Sequence, residues 1–429
     1  MEESWSFTLS RFALGALISS LAAFFFATTS SAQQIRSYTW QQIDEIFQRS
    51  NPTLRAQEQS IVSNKAAETT AALRPNPTLQ NDTTSATIGI YQEFEIGGKR
   101  SARIRSARLA TQISQTDAAD TRRTLTLNLR QAFVAALQAK SDLQFARDNL
   151  SNYKHTVDLN QEMLQQGEIA RADFLRIQLQ MLQFETDLDD ASLELKTAKA
   201  TLRSLLGDTN LSGDFDVEGE LKSQIFEKDL AELQRLAIQN RPDLKSAETG
   251  RQKAAADIRL AEANRWPDPT FGTSFLHTGN EMPGPQWFEP FYPKGATSNA
   301  TGAGFASIQI PIFNRNQGEI ARTRSEALRS DFVAQATQNQ VTQDVELGYA
   351  QFVSARERLH MYENTYLKAA KESLDIEQFS FHQGGASVLD FLDAERTFRA
   401  TQLAYHQQLA AYLNALAQLQ AAAGIDITP

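Results

Sequence analysis

Four long stretches of the sequence contain almost no glycine or proline, and they constrain the fold more than any other feature. Residues 99–166 and 168–206 contain neither residue type, 319–383 contain only Gly348, and 386–423 again contain neither. Because glycine and proline interrupt helices most strongly, each stretch is predicted to be one long helix. An unbroken helix over 99–166 would be about 100 Å long, which leaves a coiled coil or an elongated helical bundle rather than a compact domain.

The second of these stretches carries a regular apolar pattern. Its apolar residues recur at steps of three and four, which is typical of the seam of a left-handed coiled coil. We predict that this seam faces a partner helix. Its residues are Phe174, Ile177, Met181, Phe184, Leu188, Ala191, Leu195, Ala198, Leu202 and Leu205.

The two halves of the sequence resemble each other. QQGEIARADFL (165–175) aligns with HQGGASVLDFL (382–392), and ARIRS (102–106) aligns with ARTRS (321–325). Self-similarity of this kind indicates an internal duplication.

Each repeat is predicted to run helix, β-hairpin, very long helix, glycine turn, long helix. Alternation with a period of two predicts the strands, as where Ile308, Ile310 and Ile312 alternate with other residues. The first repeat is placed at 33–208 and the second at 209–429. The β-hairpins are placed at about 77–96 and 269–313, and the helical hairpins at 98–206 and 317–423.

The N-terminus has the features of an export signal. Arg11 precedes a mostly apolar run over 12–26, and small residues end at Ala32. Since the run is shorter than the ~20 residues of a spanning helix, we expect a signal peptide at 1–32 that is cleaved after Ala32; the alternative is an uncleaved membrane anchor. The sequence contains no cysteine, so a lipid anchor on an N-terminal cysteine is not expected.

Composition and motifs argue against several functions. The net charge of -9 disfavours a nucleic-acid partner. Gly98 and Lys99 could end a phosphate-binding loop, but Glu93 replaces its first glycine and Arg100 its Ser or Thr. The five histidines show no metal-ligand spacing. No enzyme, no cofactor and no metal site is predicted.

The β-hairpins suggest how such a chain could meet a membrane. Open sheet edges cannot lie in lipid, so spanning strands must close into a barrel. One chain offers four strands, whereas the smallest membrane barrels have eight. Several chains would therefore pool their strands, and the long helices would continue the same tube away from the bilayer. The fold class is mainly α with a small β part.

Several segments resemble the TolC-type outer-membrane efflux channels: RPNPTL, EIGGKRSARI, IPIFNRNQGEIARTRSEA and GGASVLDFLDAER. EIGGKR and IPIFNRNQGEIA are similar to the CzcC-like branch, which is associated with cation efflux. The resemblance covers roughly residues 40–425. It implies a homotrimer in the outer membrane of a Gram-negative bacterium, with a twelve-stranded transmembrane β-barrel continued into the periplasm by an α-helical barrel.

The resemblance also implies partners and a role. The trimer would contact outer-membrane lipid, dock onto a periplasmic adaptor (membrane fusion) protein and an inner-membrane resistance-nodulation-division pump, and act as a passive exit duct. Metal cations are the favoured substrates, and organic compounds are the alternative. A periplasmic coiled-coil adaptor remains the alternative from another class, although adaptors usually have one helical hairpin rather than two.

The resemblance places the working parts at the turns between the long helices. The periplasmic tips that meet the adaptor would contain Gly167, Glu168, Asp173, Gly384, Gly385 and Ser387. Asp390 and Asp393 would form an acidic ring at the entrance, although Ser387 with Asp390 equally fits a helix cap. Ala386 and Phe381 stand where TolC has its gating arginine and tyrosine, so that latch is not expected here.

Two strand-to-helix joints complete the predicted site residues: Gly97, Gly98, Lys99 and Arg100 in the first repeat, and Asn314, Arg315 and Asn316 in the second. Basic residues cluster after the first joint, at Lys99, Arg100, Arg103, Arg105 and Arg108. We expect these to reach lipid phosphates with their long side chains, or else to form a solvated or salt-bridged face.

Overall fold

The computed structural model describes residues 36–82, 87–207, 214–277 and 300–427. The predicted signal peptide at 1–32 and most of the loop within the predicted second β-hairpin lie outside the described residues. The elements are, in order, β1 (Arg36–Tyr38), α1 (Trp40–Ser50), α2 (Pro52–Ala72), β2 (Thr78–Asp82), β3 (Thr87–Glu93), α3 (Lys99–Gln166), α4 (Arg171–Leu206), β4 (Phe215–Val217), α5 (Leu230–Asn240), α6 (Pro242–Ala263), β5 (Thr270–His277), β6 (Ala300–Ser307), α7 (Gln317–Met361), a π-helical turn (Tyr362–Tyr366), α8 (Leu367–His382) and α9 (Val388–Ala422).

The four stretches without helix breakers are helical. The first is the single 68-residue helix α3, and the third runs through α7, the π turn and α8 without leaving the helical region of backbone space. The π turn was not predicted, because neither glycine nor proline marks it. Despite their length, none of the described helices has a stretch long and apolar enough to cross a membrane.

The first helical hairpin packs through the predicted seam. All ten of its residues are buried or half-buried in α4. Near the tips the two hairpins also pack on one another, because one buried cluster takes Tyr153 and Phe184 from the first hairpin and Phe381 and Phe391 from the second. Tyr153 stacks on Phe184 with the ring centroids 4.4 Å apart. The tip region therefore has a core shared by both halves of the chain.

In each half of the chain, a side chain that precedes a proline donates a hydrogen bond to the end of the last helix of that half. In the first half, the side-chain amide of Asn51 donates to the carbonyl of Leu205, near the end of α4, at 2.8 Å. In the second half, the guanidinium of Arg241 donates to the carbonyl of Ala422, at the end of α9, at 3.3 Å. Both side chains are buried. The two halves thus share the same closure between an early helix and the last helix.

The larger sheet is antiparallel and has the strand order β2-β3-β5-β6. Its central pairing, between β3 and β5, joins the two halves of the chain and sets Glu93 opposite Thr270. One face carries large apolar side chains that are half or more exposed: Leu79, Ile90, Phe271 and Phe275. Within the described residues, the outer edges of β2 and β6 have no strand partner.

The second hairpin ends earlier than the alternation predicts. The strand expected to run to residue 313 stops at Ser307, so the assignment of Ile308, Ile310 and Ile312 to a strand is wrong. Ser307 lies opposite Thr270, where β5 begins, and no other described strand pairs with the residues beyond it. Those three isoleucines are exposed in the single chain.

Candidate functional site

The first strand-to-helix joint is fixed by a residue of the second half. Asp268 accepts hydrogen bonds from the backbone N–H of Ile96 at 2.9 Å and from Lys99 Nζ at 2.6 Å. The side chains of Lys99 and Asp268 are only 10% and 12% exposed. Gly97 turns under Trp266 with a positive φ of 70°, and a Cβ there would lie 3.3 Å from the indole. The joint therefore combines a nearly buried ion pair with a glycine turn packed against the ring of Trp266.

The arginines that follow bind the end of a neighbouring helix. Arg100 Nε donates to the carbonyl of Ala72 at 2.8 Å. Arg103 donates to the carbonyls of Ala71 and Leu73 at 2.9 and 3.0 Å, and it forms an ion pair with Glu95. Cations are favourable at a helix C-terminus, whose last carbonyls lack partners within the helix.

These contacts bear on the two interpretations of the basic cluster. Lys99, Arg100 and Arg103 bind protein groups within the single chain, which favours the salt-bridged interpretation for them. Arg105 and Arg108 are exposed on α3.

The second joint uses asparagine where the first uses glycine. Asn316 begins α7 with a φ of 59°, the one positive φ outside glycine among the described residues. Asparagine tolerates this left-handed conformation better than most residues. Its side-chain amide donates to the carbonyl of Ala261 at 2.8 Å, and its N–H donates to Asn314 Oδ1 at 3.0 Å. Arg315 Nε donates to the carbonyl of Pro311 at 3.2 Å. Both joints are thus attached to the end of α6 or to the segment after it.

The two predicted tips have the same backbone geometry. Gly167 and Gly384 both have a φ near 75°, in the left-handed region that ends a helix sharply. In each case the following residue closes the turn: Glu168 N–H donates to the carbonyl of Met163 at 2.9 Å, and Gly385 N–H donates to that of Ser380 at 2.8 Å. The tips are therefore tight turns.

The acidic residues near the tips are engaged locally. Asp390 and Ser387 form a reciprocal capping box at the start of α9, with the hydroxyl 2.7 Å from the carboxylate. Asp393 pairs with Arg396, and Asp173 pairs with Arg176 at 2.9 Å. The capping interpretation therefore describes Asp390, whereas Asp173 binds an arginine of its own helix. Asp390 and Asp393 remain exposed.

An apolar contact occupies the second tip at Phe381 and Ala386, where the sequence predicts no polar latch. Phe381 is buried and stacks on Phe391, with the ring planes 9° apart and the centroids 5.4 Å apart. Ala386 packs against the same cluster. The second tip is held by stacked rings here.

Two buried acidic residues, Asp268 and Glu395, were not found from the sequence. Asp268 was missed because its partner is distant in the chain, although its place between Pro267 and Pro269 at the start of a strand was a usable signal. Glu395 was missed because it lies beside an apolar stripe on α9. Its burial results from packing against the first hairpin.

The architecture defines a class of protein: paired helical hairpins in one chain, each preceded by a β-hairpin. Across the described residues, its four-stranded sheet has no strand partner at either outer edge. Residues 49–208 and 233–425 match the sequence family described as outer membrane efflux protein. The matched ranges make up most of the chain, and the chain belongs to this family of efflux channels.

Relatives and solved structures agree with this assignment. The chain is 24% identical over 364 residues to the cobalt-zinc-cadmium resistance protein CzcC of Cupriavidus metallidurans, covering 83% of this chain and 82% of the relative. It is 24% identical over 377 residues to the pyoverdine export outer membrane protein OpmQ of Pseudomonas aeruginosa, covering 87% and 75%. The fold is similar to that of CusC, with a TM-score of 0.74, 17% identity and coverage of 90% and 92%. It is also similar to the open state of the outer membrane channel MtrE of Neisseria gonorrhoeae, with a TM-score of 0.70, 19% identity and coverage of 90% and 88%.

Family membership confirms the predicted resemblance to TolC-type channels. It also agrees with the prediction that the chain is not an enzyme, since this family conducts substrates rather than converting them.

Proposed function

We propose that three copies of this chain form the outer-membrane exit duct of a tripartite resistance-nodulation-division efflux system, and that metal cations leave through it passively. The observation that carries this proposal is the four-stranded sheet at one end of the long helices. It has an exposed apolar face, and its two outer edges are unpaired in the part of the chain that the structure describes. Such edges are not tolerated in lipid unless they are paired.

Pairing between copies would remove both edges. The edge of β6 in one copy would pair with the edge of β2 in the next, and three copies would close a barrel of twelve strands. The face with Leu79, Ile90, Phe271 and Phe275 would then meet outer-membrane lipid. The proposed signal peptide at 1–32 would deliver the chain across the inner membrane.

The helices supply a second argument for assembly. Large apolar side chains are exposed along both helical hairpins of the single chain, among them Leu179, Leu193, Phe332 and Phe379. Apolar surface on this scale marks an interface, and a neighbouring copy would cover it. The helical barrel would extend about 100 Å into the periplasm. Its tips, at Gly167 and Gly384, would then meet a periplasmic adaptor coupled to the inner-membrane pump.

The substrate class rests on the relatives. Similarity to a cobalt-zinc-cadmium resistance protein favours metal cations. Similarity of the same degree to a pyoverdine export protein keeps organic compounds as the second candidate. An adaptor is less well supported, because the chain contains two helical hairpins and matches an outer membrane family over both.

A deletion strain tests the duct and the substrate separately. Loss of this gene should increase sensitivity to zinc, cobalt or cadmium, and the intact gene should restore resistance. In parallel, the protein should be found in the outer-membrane fraction as a heat-modifiable trimer. Unchanged metal sensitivity with the trimer present would overturn the metal substrate alone. A protein found in the inner membrane or the soluble periplasm would overturn the duct.

The exposed acids near the second tip should affect cation passage. In a trimer, Asp390 and Asp393 would form rings of negative charge, which attract cations. The double variant Asp390→Ala/Asp393→Ala is therefore expected to reduce cation selectivity and block in planar-bilayer recordings. Ser387→Ala is the matched control, because it breaks the same capping box and leaves both acids. Equal changes in the two variants would assign the effect to the cap instead of the charge.

A further inference from the structure

A polar cavity lies between the two helical hairpins close to the tips. It has a volume of about 380 Å³ and is bounded by α3 on one side and by α8 and α9 on the other. Glu395 lines it from α9, eight residues after the cap Ser387, which places it about 12 Å from the start of that helix. The proposed function has no role for this glutamate.

The carboxyl group of Glu395 is buried without full hydrogen bonding. Its Oε2 atom is inaccessible to solvent and has no hydrogen-bond partner among the described residues. Burial raises the pKa of Glu395 from 4.5 to about 7, although the positive charge of Arg399 acts in the opposite direction. An ionised carboxylate in this position is costly, whereas a protonated one fits.

The neighbouring Arg399 forms an ion pair with the first helical hairpin. Arg399 lies 2.8 Å from Asp187 of α4 in an ion pair that is mostly shielded from solvent. Its guanidinium also covers the ring of Phe184 at 4.6 Å. Arg399 therefore holds α9 against the first hairpin through Asp187, and it neutralises Glu395 only in part.

We propose that Glu395 is a proton-binding site that sets how tightly α9 packs against the first helical hairpin. With the proton bound, the hairpins stay closed around the cavity; without it, α9 loosens next to the tip. If the proposed function holds, the entrance of the duct would open more readily when Glu395 is deprotonated. Other charged or titratable groups face this site from the packed elements: Tyr153, His155, Asp187, Lys371, His382 and Arg399.

The direction of the pH dependence follows from where the proton is held. Between pH 4.5 and about 7, the packed hairpins retain a proton that an exposed glutamate would release. Acid therefore favours the packed arrangement. The free energy that the proton on Glu395 contributes to packing is fully present below pH 4.5 and is lost as the pH rises through about 7.

Hydrogen–deuterium exchange on the purified full-length protein in detergent tests the proposal without relying on channel activity. After correction for intrinsic rates, residues 388–400 should exchange about tenfold or more slowly at about pH 5.5 than at about pH 8. Glu395→Gln should remove this difference and keep the slow rate at both values. Glu372→Gln, on an exposed part of α8, is the matched control and should behave like the parent.

Two results would overturn the proposal. One is a Glu395→Gln variant with the full pH dependence of the parent, which would assign the effect to the nearby histidines. The other concerns infrared titration of the parent protein, where a protonated-carboxyl band with a midpoint near 7 is expected. If this band is absent, the proposal is contradicted even if the variant fails to fold. Single-channel recordings then test the duct itself: slow exchange at low pH without any conductance would contradict the proposed function and not the proton site.

Discussion

Replacing Asp268 with alanine is expected to lower the free energy of unfolding by about 3–5 kcal/mol, since breaking one side of a buried ion pair leaves the other charge uncompensated. Lys99 Nζ lies 2.6 Å from the Asp268 carboxylate, and both side chains are nearly buried. The N–H of Ile96 would lose its acceptor as well. Urea unfolding of the purified protein in detergent, followed by the circular dichroism of its helices, measures the effect.

Two variants show whether burial is the cause. Glu326→Ala removes the partner of Arg329 in an ion pair that is largely exposed, and it should change stability far less. The double variant Lys99→Met/Asp268→Asn removes both charges at the joint and should be more stable than Asp268→Ala. An Asp268→Ala protein as stable as the parent would contradict the description of the joint.

The second large effect is expected from adding one methyl group to the sheet. In Gly272→Ala, the new Cβ would lie 2.6 Å from both the carbonyl oxygen of Ile90 and the ring of Tyr91. Backbone at that distance must shift, and overpacking typically costs about 1–3 kcal/mol. The contact lies in the pairing of β3 with β5, which connects the two halves of the sheet. We expect a marked loss of heat-modifiable oligomer in outer-membrane fractions, quantified on gels.

Gly304→Ala provides a matched substitution on the adjacent strand. A Cβ at Gly304 has no other atom within 4 Å, so this variant should assemble like the parent. Comparable yields of oligomer from the two alanine variants would show that the close approach at Gly272 does not limit assembly.

The long helices could be predicted because their signal is local. Glycine and proline act on the backbone at their own positions, so their absence over 99–166 was sufficient to predict α3. The glycines at 98 and 167, which flank this stretch, both adopt the left-handed conformation that glycine readily permits. The capping box at Ser387 and Asp390 was visible for the same reason, since its two members are three residues apart.

Features that depend on distant partners were harder to predict. The alternation of isoleucines after Ser307 has the period of a strand, but a strand continues only as far as another one pairs with it. For Lys99 the sequence leaves lipid phosphates and a salt bridge as alternatives, because its counter-ion Asp268 belongs to the other half of the chain. Glu395 is buried by α3, which no pattern within α9 reveals. In each case tertiary contacts overrode the local preference.

The buried pair at the first joint has a consequence for the order of folding. Lys99 and Asp268 are separated by 169 positions, and a chain that emerges N-terminus first presents the lysine long before the aspartate. Strand β3 likewise cannot form its pairing with β5 until the second half of the chain has been made. The first half therefore emerges with an unneutralised cation and an unpaired strand edge, and its folding is completed only by residues of the second half. A chain ending at residue 208 would contain the whole first helical hairpin and still be unable to close its joint.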